Sequence, residues 1–149
     1  MSYIQQNQKQ KNRQDRDREF MAMYREALQL MIARGVKSPA REAIRFTVHN
    51  GTPRYHVSYD RAYEVVRQMM AGRVPVRESL QRQMWQEIAD RVRQLMAAGD
   101  IPLTRAVEFV LLNCRASRFF ITERYAKVML VRTRRENRRS LRGLPLQTK

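Results

Sequence analysis

The sequence predicts an all-α protein made of two tandem three-helix units of helix-turn-helix-like layout, with short extended connectors between helices. Three observations carry that expectation. Apolar residues recur at helical spacing in long stretches, and glycine, proline and asparagine punctuate them. The order of stripes and punctuation then recurs once, 63 to 65 positions further along the 149 residues. Finally, 43% of the residues are apolar, which is enough to bury a core.

Residues 1–16 hold Gln, Asn and charge with almost nothing to bury, and read as a disordered polar and basic arm. The first unit, 17–73, opens with a stripe of Phe20, Met23, Ala27, Leu30 and Met31, closed by Gly35 in the left-handed conformation. In "SPAREAIRFTVHNG", Ser38 suits an N-cap and Pro39 the first helical position, where no amide hydrogen is needed. This second helix should run to about His49 and stop at Asn50-Gly51. Pro53 then pushes its predecessor into extended geometry, so "TPRYHV" is an extended connector or short strand. Ser58 caps a third helix with Tyr59, Ala62, Tyr63, Val66, Met69 and Met70 on one face, ending near Gly72.

The second unit, 74–138, repeats this order. A helix from Pro75 to about Ala98 carries Trp85, Ile88, Val92, Leu95 and Met96, matching the first stripe at an offset of 65. "IPLTRAVEFVLLNC" answers "SPAREAIRFTVHNG", with Pro39 against Pro102, Ala43 against Ala106, Phe46 against Phe109 and Asn50 against Asn113. Arg54, Val57, Ser58, Asp60, Arg61 and Val65 then meet Arg118, Ile121, Thr122, Glu123, Arg124 and Val128, with one-residue gaps allowed. Neither unit is large enough for a comfortable core alone, and the long fourth helix is expected to pack the two together. Residues 139–149 form a basic tail.

Charge dominates the composition. Thirty Lys and Arg stand against 14 Asp and Glu, a formal net of +16, and 25 of the 30 bases are arginine. The planar guanidinium fork engages phosphate bidentately, so this bias favours phosphate recognition. The last helix concentrates it: Arg124, Lys127, Arg134, Arg135 and Arg138 fall on one ridge, while Tyr125, Ala126, Val128 and Met129 point towards a core. From Arg132 to Arg142 there are six arginines and a single acid, Glu136. Like charges at helical spacing repel, which makes an unoccupied ridge self-destabilising. In the first unit Asp60 and Glu64 offset Arg61 and Arg67. Its connector, Asn50 to Val57, is longer than the three- or four-residue turn of a helix-turn-helix. Tyr55 and the Phe119-Phe120 pair have two readings, as base-stacking platforms or as plugs packed on the core, the second being commoner.

No chemistry of bond making is visible. His49 and His56 flank a turn without a cysteine or acid pair at zinc spacing, and no glycine-rich phosphate loop, "G-x-S-x-G" or "H-E-x-x-H" occurs. A non-enzymatic protein with no metal and no cofactor is expected. Cys114, in "AVEFVLLNC", reads as a small reduced core residue. No apolar run approaches the ~18–20 residues that span a bilayer, and the N-terminal stretch has no apolar signal core. A cytoplasmic, nucleoid-associated location is expected.

"TPRYHVSYDRAYEVV" resembles a motif of small, basic, largely uncharacterised proteins of gut Bacteroidota and their phages, which carry Pro-Arg-aromatic-x-Val-Ser ahead of an acidic-basic helix. Pro53, Arg54, Tyr55, Val57 and Ser58 match, while His56 stands where an aromatic is usual. The second copy keeps Arg118, Phe119, Phe120, Ile121 and Thr122 but has Ala116-Ser117 in place of the proline. The resemblance covers about 20 residues per copy and implies no particular activity.

The expected function is nucleic-acid binding, with duplex DNA favoured over RNA, as a small regulator or nucleoid-type architectural protein. Arg54, Arg61, Arg118, Arg124, Lys127, Arg134, Arg135 and Arg138 are the expected contacts, most of them to phosphate. The alternative is an RNA- or ribosome-associated factor, or a phage-encoded protein that binds a host machine. A membrane-surface protein would need a bulky apolar face left uncovered, and the stripes are better used on each other. No small-molecule substrate is indicated, and a homodimer is compatible with the sequence.

Overall fold

The computed structural model describes residues 3–143 and is all-helical. Among the described residues there are six helices: α1 (Tyr3–Ala33), α2 (Pro39–Asn50), α3 (Tyr59–Met70), α4 (Ser79–Gly99), α5 (Leu103–Asn113) and α6 (Glu123–Arg142). Gly35 and Gly72 adopt φ of 68° and 82° behind α1 and α3, the left-handed geometry that closes a helix without a Cβ clash. The Ser58 and Thr122 hydroxyls cap α3 and α6, accepting from the backbone N–H of Arg61 and Tyr125 at 3.2 and 3.0 Å.

Several boundaries differ from expectation for local reasons. Ser38 stands at the N-cap position of α2, but it adopts φ 57° and its side chain makes no capping bond. The fourth helix begins at Ser79 and not at Pro75, because the Glu78 carboxylate accepts from Leu80 N–H and Gln81 N–H and fixes the first turn there. The expected disordered arm is helical from Tyr3 onwards. Gln, Lys and Arg are competent helix formers, no Gly or Pro interrupts them, and extending a nucleated helix adds one hydrogen bond per residue. Of the expected basic tail, residues 139–142 belong to α6; Met1, Ser2 and residues 144–149 lie outside the described residues.

Two cores organise the helices, and they do not follow chain order. One joins α1, α2 and α6 through Phe20, Tyr24, Ala43, Val48, Ala126 and Leu130. The other joins α3, α4 and α5 through Val65, Val66, Trp85, Ile88, Val92 and Val107. Each consecutive set of three helices therefore lends its third helix to the other set. Helix α4 lies in the second core alone, yet there it packs on α3 of the first sequence unit as well as on α5 of its own, and so joins the two units as expected. The repeat is nonetheless visible in detail. Ala62, Val65 and Val66 of α3 and Ala126, Met129 and Leu130 of α6 are buried at an offset of 64. The Asn50 and Asn113 amides each donate to the carbonyl four residues back, of Phe46 and Phe109, at 3.1 Å.

The connectors explain the exchange. Residues 51–58 separate α2 from α3 and residues 114–122 separate α5 from α6; extended, the first reaches up to about 26 Å, enough to carry α3 away from α2 and into the other core. The two connectors run antiparallel beside each other through a single bridge, Arg54 to Arg115. Along the second, alternate side chains point to opposite sides, as in any extended chain. Ala116 and Phe120 enter one core while Phe119 and Ile121 enter the other. Tyr55, Phe119 and Phe120 are 5%, 0% and 8% exposed, so these aromatics are core plugs and not platforms for bases.

Two carboxylates clamp the crossing. Glu19 on α1 accepts from Arg54 N–H at 3.3 Å and contacts His56 Nε2 at 2.8 Å, with the Arg115 guanidinium of the opposite connector 3.6 Å away. Glu87 on α4 accepts from Ser117 N–H and Oγ–H at 2.9 and 2.7 Å, and from the Tyr55 hydroxyl of the opposite connector at 2.7 Å. Burial, followed by the Glu87 carboxylate, pushes the Tyr55 hydroxyl far above its ordinary pKa and keeps it a donor. Each clamp holds both strands of the crossing.

Candidate nucleic-acid interface

Helix α6 is anchored at one end and free at the other. Ala126, Met129 and Leu130 are its buried residues, and Tyr125 ties its start to α1, donating its O–H to Asp17 Oδ2 at 2.9 Å and accepting from Arg16. Thr133, half-buried, bonds back to Met129 O. From Arg134 to Gly143 every residue is exposed. Its cations therefore stand on a helix that is rigid where it packs and open elsewhere.

At about 100° per residue, the face opposite the buried line is easily mapped. Arg124, Val128, Val131, Arg135 and Arg142 lie within about 40° of its midline. Lys127, Arg134 and Arg138 flank it on one side, Arg132 and Arg139 on the other. Among the described residues none of these eight cations is in an ion pair. The acid at the start of α6, Glu123, faces Arg45 and His49 of α2 instead, at 3.6 and 3.3 Å. Arg124 and Arg142 are separated by about 27 Å along the axis.

The structure distributes the sequence-derived contacts unevenly. Arg124, Lys127, Arg134, Arg135 and Arg138 share the exposed side of α6. Arg132, Arg139 and Arg142 belong with them; a single narrow ridge is too strict a criterion for a helix free on most of its circumference. Val128 points outward, half-exposed, and not towards the core. Arg118 is a correction: its guanidinium donates to the Phe119 and Ile121 carbonyls at 3.0 and 3.2 Å and lies over the Phe120 ring, so it braces the connector. Arg54 and Arg61 are exposed but sit on other elements, the first connector and α3.

The repeat register separates α3 from α6 further. Their shared cap and buried positions pair Asp60 with Arg124 and Glu64 with Val128, whereas gapped sequence matching pairs Arg61 with Arg124. Arg67 is held by Glu64 at 2.7 Å, and that bond keeps the Glu64 carboxyl below its ordinary pKa. The solvent face of α3 is thus nearly neutral, whereas that of α6 carries eight cations against one exposed acid, Glu136. Nor do α2, its connector and α3 form a packed helix-turn-helix, because α2 and α3 belong to different cores.

A cleft of about 60 Å³ at the crossing brings Arg16, Arg54 and Arg118 near one another. Arg16 is held there by Asp17 and Tyr125, and Arg118 by carbonyls. No helix among the described residues is long and apolar enough to cross a membrane. Comparison with protein-family models, curated proteins and solved structures finds no match for the chain.

Proposed function

We propose that the protein is a non-enzymatic nucleic-acid-binding protein that grips duplex DNA through α6, acting as a small regulator or nucleoid-associated architectural protein. The observation that carries this reading is the row of unpaired cations along the solvent side of α6. Eight like charges on one helix raise its free energy until a polyanion neutralises them. Most are arginine, whose fork matches phosphate oxygens. The rest of the molecule serves as a scaffold. The crossed connectors, fixed by Glu19 and Glu87, hold both three-helix cores together, and the near-neutral α3 face is part of that support.

Competition binding with a DNA duplex, an RNA hairpin and a DNA single strand at near-physiological salt tests the reading. Tightest binding to the duplex is expected. Preference for the hairpin would favour the RNA- or ribosome-associated alternative, and equal affinity for all three would reduce the interaction to undirected charge attraction.

A further inference from the structure

We infer that α6 lies in the major groove with Val128 and Val131 against base edges, so that the protein prefers thymine methyl groups there. This rests on the DNA reading above and adds where the helix sits and what it reads. Val128 and Val131 are 50% and 47% exposed, on the midline of the cationic face, and neither belongs to a core. Isolated exposed valines are ordinary on protein surfaces. Here, however, the two stand one turn apart between Arg124 and Arg135, an apolar gap in the middle of an otherwise charged face.

The arrangement fits a groove with two charged walls. Lys127 and Arg134 project to one side of the valines, Arg132 and Arg139 to the other, so each row can reach one phosphate strand. A helix with its side chains is about 10–12 Å across, matching the ~12 Å major groove and exceeding the ~6 Å minor groove. On the floor of that groove the base edges are polar except for the thymine 5-methyl, the one surface on which a valine gains. The major groove of duplex RNA is too narrow and deep to admit the helix.

The test measures binding of the full chain to an alternating A·T duplex of two helical turns, and to the same duplex with every thymine replaced by uracil. That exchange deletes the methyl groups while leaving phosphate charge and minor groove in place. Wild type should bind the uracil duplex about fourfold more weakly for each methyl group that a valine would otherwise cover. Val128→Ala/Val131→Ala should bind the two duplexes alike, with the salt dependence of wild type. Alanine is the better helix former at these exposed sites, so the variant keeps its fold, which circular dichroism verifies. Equal wild-type affinity for the two duplexes, with normal salt dependence, would overturn the major-groove placement and leave the phosphate-binding reading standing. Absence of salt-dependent binding to either duplex would overturn both.

Discussion

Replacing Gly51 by alanine should destabilise the protein, although its backbone favours the change. Gly51 has φ −66° and ψ 146°, a conformation open to any residue. On backbone grounds Gly51→Ala should therefore gain about 0.4–1 kcal/mol by restricting the unfolded chain. Space decides otherwise. A Cβ there would stand 2.6 Å from Phe119 Cε2 and 2.6 Å from the Thr47 carbonyl oxygen. Phe119 has little room to retreat: it is fully buried and packed edge-on to Phe20, with ring centroids 5.2 Å apart. Overpacking of this kind costs about 1–3 kcal/mol, so a net loss of about 1–2 kcal/mol is expected. Urea unfolding should show a midpoint lowered by roughly 0.5–1 M with an unchanged slope. In a Phe119→Leu background the same substitution should cost less, a coupling that distant sites do not show. A Gly51→Ala protein as stable as wild type would refute the close approach of connector and helix end.

Two further predictions concern the crossing. Glu87→Ala leaves Tyr55 O–H, Ser117 N–H and Ser117 Oγ–H without their acceptor and should cost about 2–3 kcal/mol, seen in thermal unfolding as a drop of roughly 5–10 °C; an unchanged melting temperature would show that the clamp does not hold. His56 should make stability pH-dependent: burial lowers its pKa below the ordinary 6.5, with Glu19 opposing more weakly. Below 6.5 the unfolded chain then binds more protons than the folded one, so stability should fall as pH drops from 6.5 to the folded-state value. His56→Phe should flatten that part of the profile, and a wild-type melting temperature rising on acidification would contradict the sign.

Much of the helical architecture was legible in the sequence. Period and punctuation pointed to all six helices, although the N-terminal half of α1, which has no apolar stripe, read as a disordered arm; Gly35, Ser58, Gly72 and Thr122 behave as their chemistry dictates. The repeat was legible too, because buried positions recur at nearly constant spacing. The exchange of third helices was not, since an amphipathic stripe says that a helix needs a partner and not which one. Only the length of the connectors hinted at it. For the same reason α6 was recognisable as basic, while the fate of individual arginines was not. Arg118 and Arg138 look alike in a sequence, yet one braces carbonyls at the crossing and the other faces solvent. Gapped matching placed Arg61 opposite Arg124, and only the buried alanines Ala62 and Ala126 set the register that puts Asp60 there.

The salt dependence of duplex binding, compared between variants of α6 and of the first unit, tests the central claim most directly. Arg134→Gln/Arg138→Gln/Arg139→Gln removes cations flanking the valines, lies beyond the packed part of α6 and should leave the fold intact. Its log-log slope of affinity against salt should fall by about 2.7, roughly 0.9 for each phosphate no longer neutralised. Arg54→Gln/Arg61→Gln, on the connector and the near-neutral α3, should keep the wild-type slope. An unchanged slope in the α6 variant, or an equal fall in the first-unit variant, would contradict a grip centred on α6.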